Sequence, residues 1–307
     1  MTKVFIDGSA GTTGLRIRER LSARPDLSLI TLPEELRKDP SARADALDMA
    51  DVAFLCLPDA AAVEAVSLLG SDSTVIIDTS TAHRTAAGWA YGFPELAGQR
   101  EIIAGSKRIA NPGCHASGFI ALVAPLVAAG ILKSDVRLSC FSLTGYSGGG
   151  KKMIADYTAD GRDPLLDAPR QYGLSQTHKH LPEMAKVCGL RYLPVFCPIV
   201  APYYAGMEVT VPLTPADTGA SMDQIRNAYW EYYRSGMVFF RDDADESGFL
   251  SAGSMAGRDD MDISGFGQED RILLVSRFDN LGKGASGAAI QNMNLVLGLD
   301  EAAGLVR

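Results

Sequence analysis

Three evenly spaced glycines lie between an apolar run and an amphipathic segment near the start of the chain. Residues 3–7 predict a strand, residues 15–21 predict a helix, and the loop at 8–14 reads GSAGTTG. Glycines there permit a tight turn and bring backbone N–H groups at a helix N-terminus close to a bound anion. The loop therefore predicts that the chain opens with a strand–loop–helix unit of a parallel sheet.

The residues that follow repeat this alternation. Strands are predicted at 27–32, 50–57 and 75–78, with an alanine-rich helix at 60–69. Strands separated by helices indicate parallel βαβ units. We therefore expect the first part of the chain to be of the α/β class, with a Rossmann-type, doubly wound parallel sheet.

The pattern changes after residue 113. A helix at 116–129 is followed by longer strands with fewer helices between them, at 136–144, 195–201, 207–213 and 272–278. Such runs indicate an α+β domain with a mixed sheet. A last helix at 284–299 can return to the first sheet, so we expect residues 1–113 and 284–307 to form one domain and 114–283 the other.

Composition argues against several classes of protein. The net charge is −8, which does not suit a nucleic-acid binder. No uninterrupted apolar stretch reaches the roughly 18 residues of a membrane span, and the first residues lack a signal-peptide pattern, so a cytoplasmic protein is expected. The five cysteines form no C-x-x-C pair, so we predict neither a disulfide framework nor a cysteine-based metal site.

The glycine loop favours a dinucleotide cofactor. The residues at the end of the second predicted strand help to distinguish NAD from NADP. An acid there would bind the ribose of NAD. No acid closes the strand itself. Glu34 and Glu35 come after Pro33, and Arg37 and Lys38 follow them, which favours the 2′-phosphate of NADP, although a solvated charge cluster gives the same pattern. The residues predicted to bind the cofactor are Gly8, Ser9, Gly11, Thr12, Thr13, Gly14 and, in a second glycine-rich segment, Asn280.

The stretch NPGCHASG at 111–118 is the most informative. Pro112 and Gly113 predict a turn, and an apolar helix begins just after them. Cys114 is thus expected at a helix N-terminus, where unpaired N–H groups and the macrodipole stabilise a thiolate. This placement predicts a nucleophile for acyl transfer, the alternative being a small residue that fills a turn.

The segment HKHLPE at 178–183 is the second candidate for chemistry. Pro182 suits the first turn of a helix, which leaves His178 and His180 on the loop that enters it. A histidine near a thiolate can hold its proton and later protonate an oxyanion. The pair is also compatible with an ordinary surface loop, and no third ligand lies nearby in sequence to make a metal site.

Two further segments are candidates for binding an anionic substrate. GYSGGGKK at 145–152 follows a strand, and its backbone N–H groups, Ser147 and its lysines can hold a phosphate, although a mobile glycine turn is the alternative. Arg84 is a candidate for holding a second anionic group.

Taken in chain order, these sequence motifs resemble those of the N-acetyl-γ-glutamyl-phosphate reductases of arginine biosynthesis, in their shorter variety, within the aspartate-semialdehyde dehydrogenase-like superfamily. The resemblance includes the motifs GSAGTTG, NPGCHASG, GYSGGGKK and HKHLPE. YGFPEL at 91–96 and NLGKGASGAAIQNMNL at 280–295 extend the resemblance over nearly the whole chain.

The resemblance implies NADPH-dependent reduction of N-acetyl-γ-glutamyl phosphate to N-acetylglutamate 5-semialdehyde through a thioester on Cys114. It implies an acid/base histidine, assigned to His180 first and His178 second, with Glu183 to orient it. It also implies a catalytic and dimerisation domain, hence a homodimer or homotetramer. Some relatives carry an aromatic residue directly after the nucleophile, where this chain has His115, so a role for His115 stays open.

Other functions remain open at this point. Aspartate-semialdehyde dehydrogenase or a related acyl-phosphate reductase shares the glycine loop and the cysteine. A non-catalytic dinucleotide-sensing module would keep the loop without cysteine chemistry, and a thiol-dependent acyltransferase would need no hydride. YGFPEL and the histidine block favour the reductase.

Overall fold

The computed structural model describes every residue, Met1–Arg307, and the chain forms two compact units. Unit 1 comprises Met1–Pro94, Gly98–Pro112 and Ala285–Leu305, and unit 2 comprises Glu95–Ala97, Gly113–Gly284 and Val306–Arg307. The two shortest segments were expected in the first domain but belong to unit 2, because Glu95 binds Lys283 there and Val306 donates its backbone N–H to Asp259. None of the helices combines the length and hydrophobicity that crossing a membrane requires.

Unit 1 is a six-stranded sheet with helices on both faces. Its elements in chain order are β1 (Thr2–Asp7), α1 (Thr12–Ser22), β2 (Leu27–Ile30), α2 (Pro40–Met49), β3 (Val52–Leu55), α3 (Asp59–Ser67), β4 (Val75–Asp78), β5 (Ala90–Tyr91), α4 (Gln99–Ala104) and β6 (Arg108–Ala110). The strands lie in the order β2-β1-β3-β4-β6-β5, and every neighbouring pair is parallel. The predicted Rossmann-type sheet is thus confirmed.

Two apolar cores hold the helices of unit 1, one on each face of the sheet. Ile17 of α1 and Ile290, from a helix near the C-terminus, pack on one face. Leu47 of α2 and Ala62 of α3 pack on the other. Strands buried on both faces need apolar residues throughout, which is why they appear in the sequence as continuous hydrophobic runs.

Unit 2 contains the second, mixed sheet. Its elements are α5 (Cys114–Ala128), β7 (Ser139–Gly145), α6 (Gly150–Thr158), β8 (Arg170–Gln171), α7 (Leu181–Val187), β9 (Val195–Ala201), β10 (Met207–Leu213), α8 (Met222–Tyr232), β11 (Val238–Phe240), β12 (Met261–Gln268) and β13 (Arg271–Phe278). The strand order is β11-β12-β13-β10-β7-β9-β8. Parallel pairs such as β7 with β9 occur beside antiparallel pairs such as β10 with β13, as expected.

Helix α5 lies against this sheet and is buried along most of its length. A Cβ at Gly118 would lie 2.5 Å from Cγ2 of Val209 on β10, so only glycine permits the helix to approach the strand this closely. This contact fixes the position of α5 on the sheet, and with it the first residue of the helix.

Several predicted segments differ in extent or form from the structure. The GYSGGGKK segment is a 3-10 turn at Tyr146–Gly149 followed directly by α6, so it is not an open glycine loop. The last helix, α9 (Gly287–Val296), is preceded by a π-helical turn at Gly282–Ser286. Strand β7 begins only at Ser139, three residues later than predicted.

Candidate active site

In unit 1 the glycine loop lies at the carboxyl ends of β1 and β3. Gly8 has φ +84°, and a Cβ there would lie 2.2 Å from the carbonyl oxygen of Cys56. A Cβ at Gly14 would lie 2.5 Å from the carbonyl oxygen of Gly8. Both positions therefore require glycine, because any side chain would push the loop away from β3 or from α1.

A cleft of ≈ 390 Å³ opens beside this loop, where the strand order reverses around β1. Residues at the ends of β1 and β2 line it together with Glu34 and three cations, Arg18, Arg37 and Lys38. No acid closes β2, which ends at Ile30. The N-terminus of α1 and these cations suit the pyrophosphate and 2′-phosphate groups of NADP, so the cleft fits the expected cofactor.

Asp7 also lines the cleft, and its charge is neutralised locally. Arg43 Nε donates a hydrogen bond to Asp7 Oδ2 at 3.0 Å, and a second guanidinium nitrogen lies 2.9 Å from the same oxygen. Burial raises the pKa of Asp7, and the Arg43 guanidinium opposes that rise. The carboxyl group of Asp7 therefore does not prevent a phosphate from binding nearby.

In unit 2, α5 begins at Cys114, and Gly113 is its N-cap residue. The backbone N–H of Gly113 donates to Oε1 of the buried Glu183 at 2.8 Å. A Cβ at Gly284 would lie 2.9 Å from Cys114 Cβ. Glu183 thus holds the turn that presents Cys114, a contact that the sequence did not indicate.

The two histidines of HKHLPE lie beside the start of α5. The ring centroids of His180 and His115 are 5.6 Å apart, and those of His180 and His178 are 4.7 Å apart. The backbone N–H of His180 donates to Nδ1 of His178 at 3.2 Å. The rings of His178 and His180 thus form one cluster with that of His115, the residue that follows Cys114, which is not the arrangement of an ordinary surface loop.

His115 itself is buried and hydrogen-bonded at both ring nitrogens. Nδ1 lies 2.6 Å from Ser142 Oγ, and Nε2 lies 2.6 Å from the Tyr172 hydroxyl. Burial lowers the pKa of His115 to about 3, so its ring is neutral at pH 7. The sequence left the role of His115 open and gave no signal for Ser142 or Tyr172.

Ser147 and Asn280, predicted for substrate and cofactor binding, lie together in unit 2. Asn280 Nδ2 donates to Ser147 Oγ at 3.0 Å, and the Gly206 backbone N–H donates to Asn280 Oδ1 at 2.9 Å. Arg84 lies in unit 1, where its guanidinium donates to the carbonyl oxygens of Asn111 and Thr79. These contacts fix all three side chains in place.

Family models match both parts of the chain. The semialdehyde dehydrogenase NAD binding domain matches residues 3–104, and the semialdehyde dehydrogenase dimerisation domain matches residues 114–280. An N-acetyl-gamma-glutamyl-phosphate reductase of Brucella ovis is 48% identical over 96% of this chain and 99% of that protein. N-acetyl-gamma-glutamyl-phosphate reductase 2 of a Nostoc species is 45% identical over 99% of both. The chain belongs to the N-acetyl-gamma-glutamyl-phosphate reductase family.

Solved structures of the same fold come from this family's wider superfamily. Aspartate semialdehyde dehydrogenase II of Vibrio cholerae, complexed with ASA, superimposes with a TM-score of 0.72 at 18% identity, covering 97% of this chain and 98% of that one. Aspartate semialdehyde dehydrogenase of Candida albicans with NADP gives 0.70 at 17% identity, with coverages of 97% and 98%. At this identity the likeness shows the fold alone. The expected reductase family and α/β fold are thus confirmed, as is a nicotinamide dinucleotide cofactor.

Proposed function

We propose that this protein is an NADPH-dependent oxidoreductase that converts N-acetyl-γ-glutamyl phosphate to N-acetylglutamate 5-semialdehyde in arginine biosynthesis. The observation that carries the proposal is Cys114 at the start of α5, beside a histidine cluster. Relatives that are 45% to 48% identical over nearly the full length carry the reductase name. The similarity to aspartate semialdehyde dehydrogenases is much lower, which makes that substrate the second candidate.

The residues of unit 2 support acyl transfer to sulfur. The Cys114 thiolate attacks the acyl carbon, so that an S–C bond forms as the C–O bond to phosphate breaks, leaving a thioester and inorganic phosphate. The N-terminus of α5 stabilises the thiolate. Glu183, which binds the Gly113 N–H, holds the turn so that the sulfur keeps its orientation during attack.

The residues that line the cleft of unit 1 would hold NADPH, which would supply the hydride for reduction of the thioester. His180, with His178 as the second candidate, holds the proton released by Cys114 and donates it to the oxygen of the resulting hemithioacetal. The same histidine takes the proton back as the C–S bond breaks, which releases the aldehyde and regenerates the thiolate.

We assign binding roles to the remaining predicted residues. Unit 1 is the cofactor domain, and Ser147 and Arg84 bind the anionic groups of the acyl phosphate. The cofactor contacts are Gly8, Ser9, Gly11, Thr12, Thr13, Gly14 and Asn280. The five cysteines are free thiols, which suits an enzyme of the reducing cytoplasm.

Unit 2 also mediates assembly into a homodimer or homotetramer. One face of its sheet packs on α5, whereas the other exposes Phe141, Val195 and Leu273 by 44%, 59% and 45%. The strand register places these three side chains on the same face. An exposed apolar sheet face is typical of a protein–protein interface.

The reverse reaction tests the proposed function directly. With N-acetylglutamate 5-semialdehyde, NADP and inorganic phosphate, we expect NADPH to form, and the rate to depend on phosphate because the thioester is released by phosphate attack. Aspartate semialdehyde is the matched control substrate. Turnover of the control alone would overturn the substrate, and NADPH formation without phosphate would overturn the acyl-phosphate step.

Cofactor choice is expected to depend on Arg37 and Lys38. Replacing both with alanine removes two cations from the cleft, and a hydrogen bond to a charged group contributes about 1.5–3 kcal/mol. We therefore expect the KM for NADPH to rise about tenfold or more, with the KM for NADH nearly unchanged. Lys3→Ala, an exposed cation outside the cleft, is the control. Equal increases for both cofactors would contradict a 2′-phosphate site.

A further inference from the structure

In each hydrogen bond of His115, one partner donates and the other accepts. These directions decide whether the Tyr172 hydroxyl can donate to another group. His115 is neutral at pH 7 because burial lowers its pKa to about 3. A neutral imidazole has one nitrogen that donates and one that accepts. Of its two partners, Ser142 Oγ and the Tyr172 hydroxyl, one must therefore donate to the ring and the other must accept from it.

Ser142 decides between the two arrangements. Its side chain is 0% exposed, and His115 is its one hydrogen-bond partner. If Nδ1 carried the proton, Ser142 would accept it and its own O–H would be buried without an acceptor, an arrangement that folded proteins avoid. Ser142 therefore donates to Nδ1, and the Nε2–H of His115 donates to the oxygen of Tyr172.

The Tyr172 hydroxyl therefore accepts from His115, and its own O–H can donate to another acceptor. No other side chain or backbone group of the protein accepts it. Tyr172 is half-buried beside the His178 ring, with the centroids 6.0 Å apart. Burial, and then the charge of the Cys114 sulfur, raise the pKa of Tyr172. The hydroxyl is therefore protonated at pH 7, and it is hydrogen-bonded to His115, the residue next to Cys114.

We propose that Tyr172 is a further catalytic residue, whose hydroxyl, held in place by His115 and Ser142, donates a hydrogen bond to the oxygen of the acyl group carried by Cys114. This inference rests on the proposed function and adds a donor to it. Negative charge grows on that oxygen when the thioester forms and again when it is reduced, and a fixed donor stabilises it. The hydrogen bonds also account for a histidine, rather than another aromatic residue, directly after the nucleophile.

Tyr172→Phe tests the donor, because it removes the hydroxyl and keeps the ring. In the semialdehyde assay we expect kcat to fall about 10²-fold, the usual effect of losing one such donor, with a smaller change in KM. Alkylation of Cys114 by iodoacetamide should keep its rate, since the donor serves the acyl oxygen and not the sulfur.

Tyr157→Phe is the matched control. Tyr157 packs in the same apolar cluster as Tyr172, and its buried hydroxyl has no hydrogen-bond partner, so its loss should leave kcat unchanged. An equal loss of kcat in both variants would assign the effect to packing and overturn the proposal.

A triple variant tests whether His115 acts through Tyr172. His115→Phe is made together with Ser142→Ala, so that no buried hydroxyl is left without an acceptor, and kcat is expected to fall. Adding Tyr172→Phe should then cause little further loss. If wild type turns over the semialdehyde and Tyr172→Phe keeps its full kcat, the inference is wrong and the proposed function stands. Failure of wild type with both aldehydes would overturn both.

Discussion

Cys114→Ser is expected to abolish turnover, with kcat lowered by at least about 10³-fold and up to the order of 10⁶, as for other enzymes that lose their nucleophile. Serine is nearly isosteric, but its hydroxyl is far less acidic, and the N-terminus of α5 cannot ionise it at pH 7. Any ester that formed would also accept hydride less readily than a thioester. Phosphate-dependent NADPH formation from the semialdehyde measures the loss.

Cys197→Ser is the matched control, because Cys197 is a half-buried thiol of β9 and is expected to have no part in turnover. Mass spectrometry of wild type mixed with substrate should detect an added acyl group that the Cys114→Ser variant lacks. Dinucleotide binding should persist in that variant, since the cleft of unit 1 is unchanged. Full turnover by Cys114→Ser would instead exclude the thioester route and support another nucleophile.

The largest loss of stability from a single substitution is expected for Lys283→Met. Lys283 Nζ donates to both carboxylate oxygens of Glu95 at 2.8 Å, and the two side chains are 1% and 0% exposed. Glu95 also accepts a hydrogen bond from the Met237 backbone N–H at 2.9 Å. Without Lys283 a buried carboxylate loses its counter-charge, which costs about 3–5 kcal/mol. Urea denaturation at pH 7 measures the free energy of unfolding.

The double variant Lys283→Met with Glu95→Gln separates the cost of an orphaned charge from that of lost packing. A buried ion pair replaced by uncharged groups of similar volume is often close to neutral in stability, and glutamine can still accept from Met237. We therefore expect the double variant to recover most of the loss. Arg271→Met, which breaks an exposed pair with Asp270, is the control and should change stability by no more than about 1 kcal/mol. An unchanged urea midpoint for Lys283→Met would contradict this account.

Local signals explain which elements could be predicted. In the sequence, the buried parallel strands appear as short hydrophobic runs, and α5 appears as an apolar segment with helical spacing. The turns before α1 and α5 contain glycine or proline at the positions where backbone geometry requires them. Helix α2 was missed because most of its apolar residues are alanines that alternate with charged residues, although Asp39 caps it by accepting from the Ala42 N–H at 2.8 Å. Strand β12 was missed because Gly265 and Gly267 interrupt its apolar pattern.

The position of Cys114 at a helix N-terminus, the glycine loop and the two-part architecture could be inferred from sequence because each depends on residues that are close together in the chain. The contacts around Cys114 and the buried ion pair of unit 2 join residues that are far apart in the chain. Glu183 binds Gly113 across 70 residues, Tyr172 binds His115 across 57, and Lys283 binds Glu95 across 188. A sequence pattern carries no record of such pairs, because burial and hydrogen bonding between distant segments arise only when the sheets and helices pack. The surroundings of Cys114 and the buried ion pair are therefore properties of the folded chain.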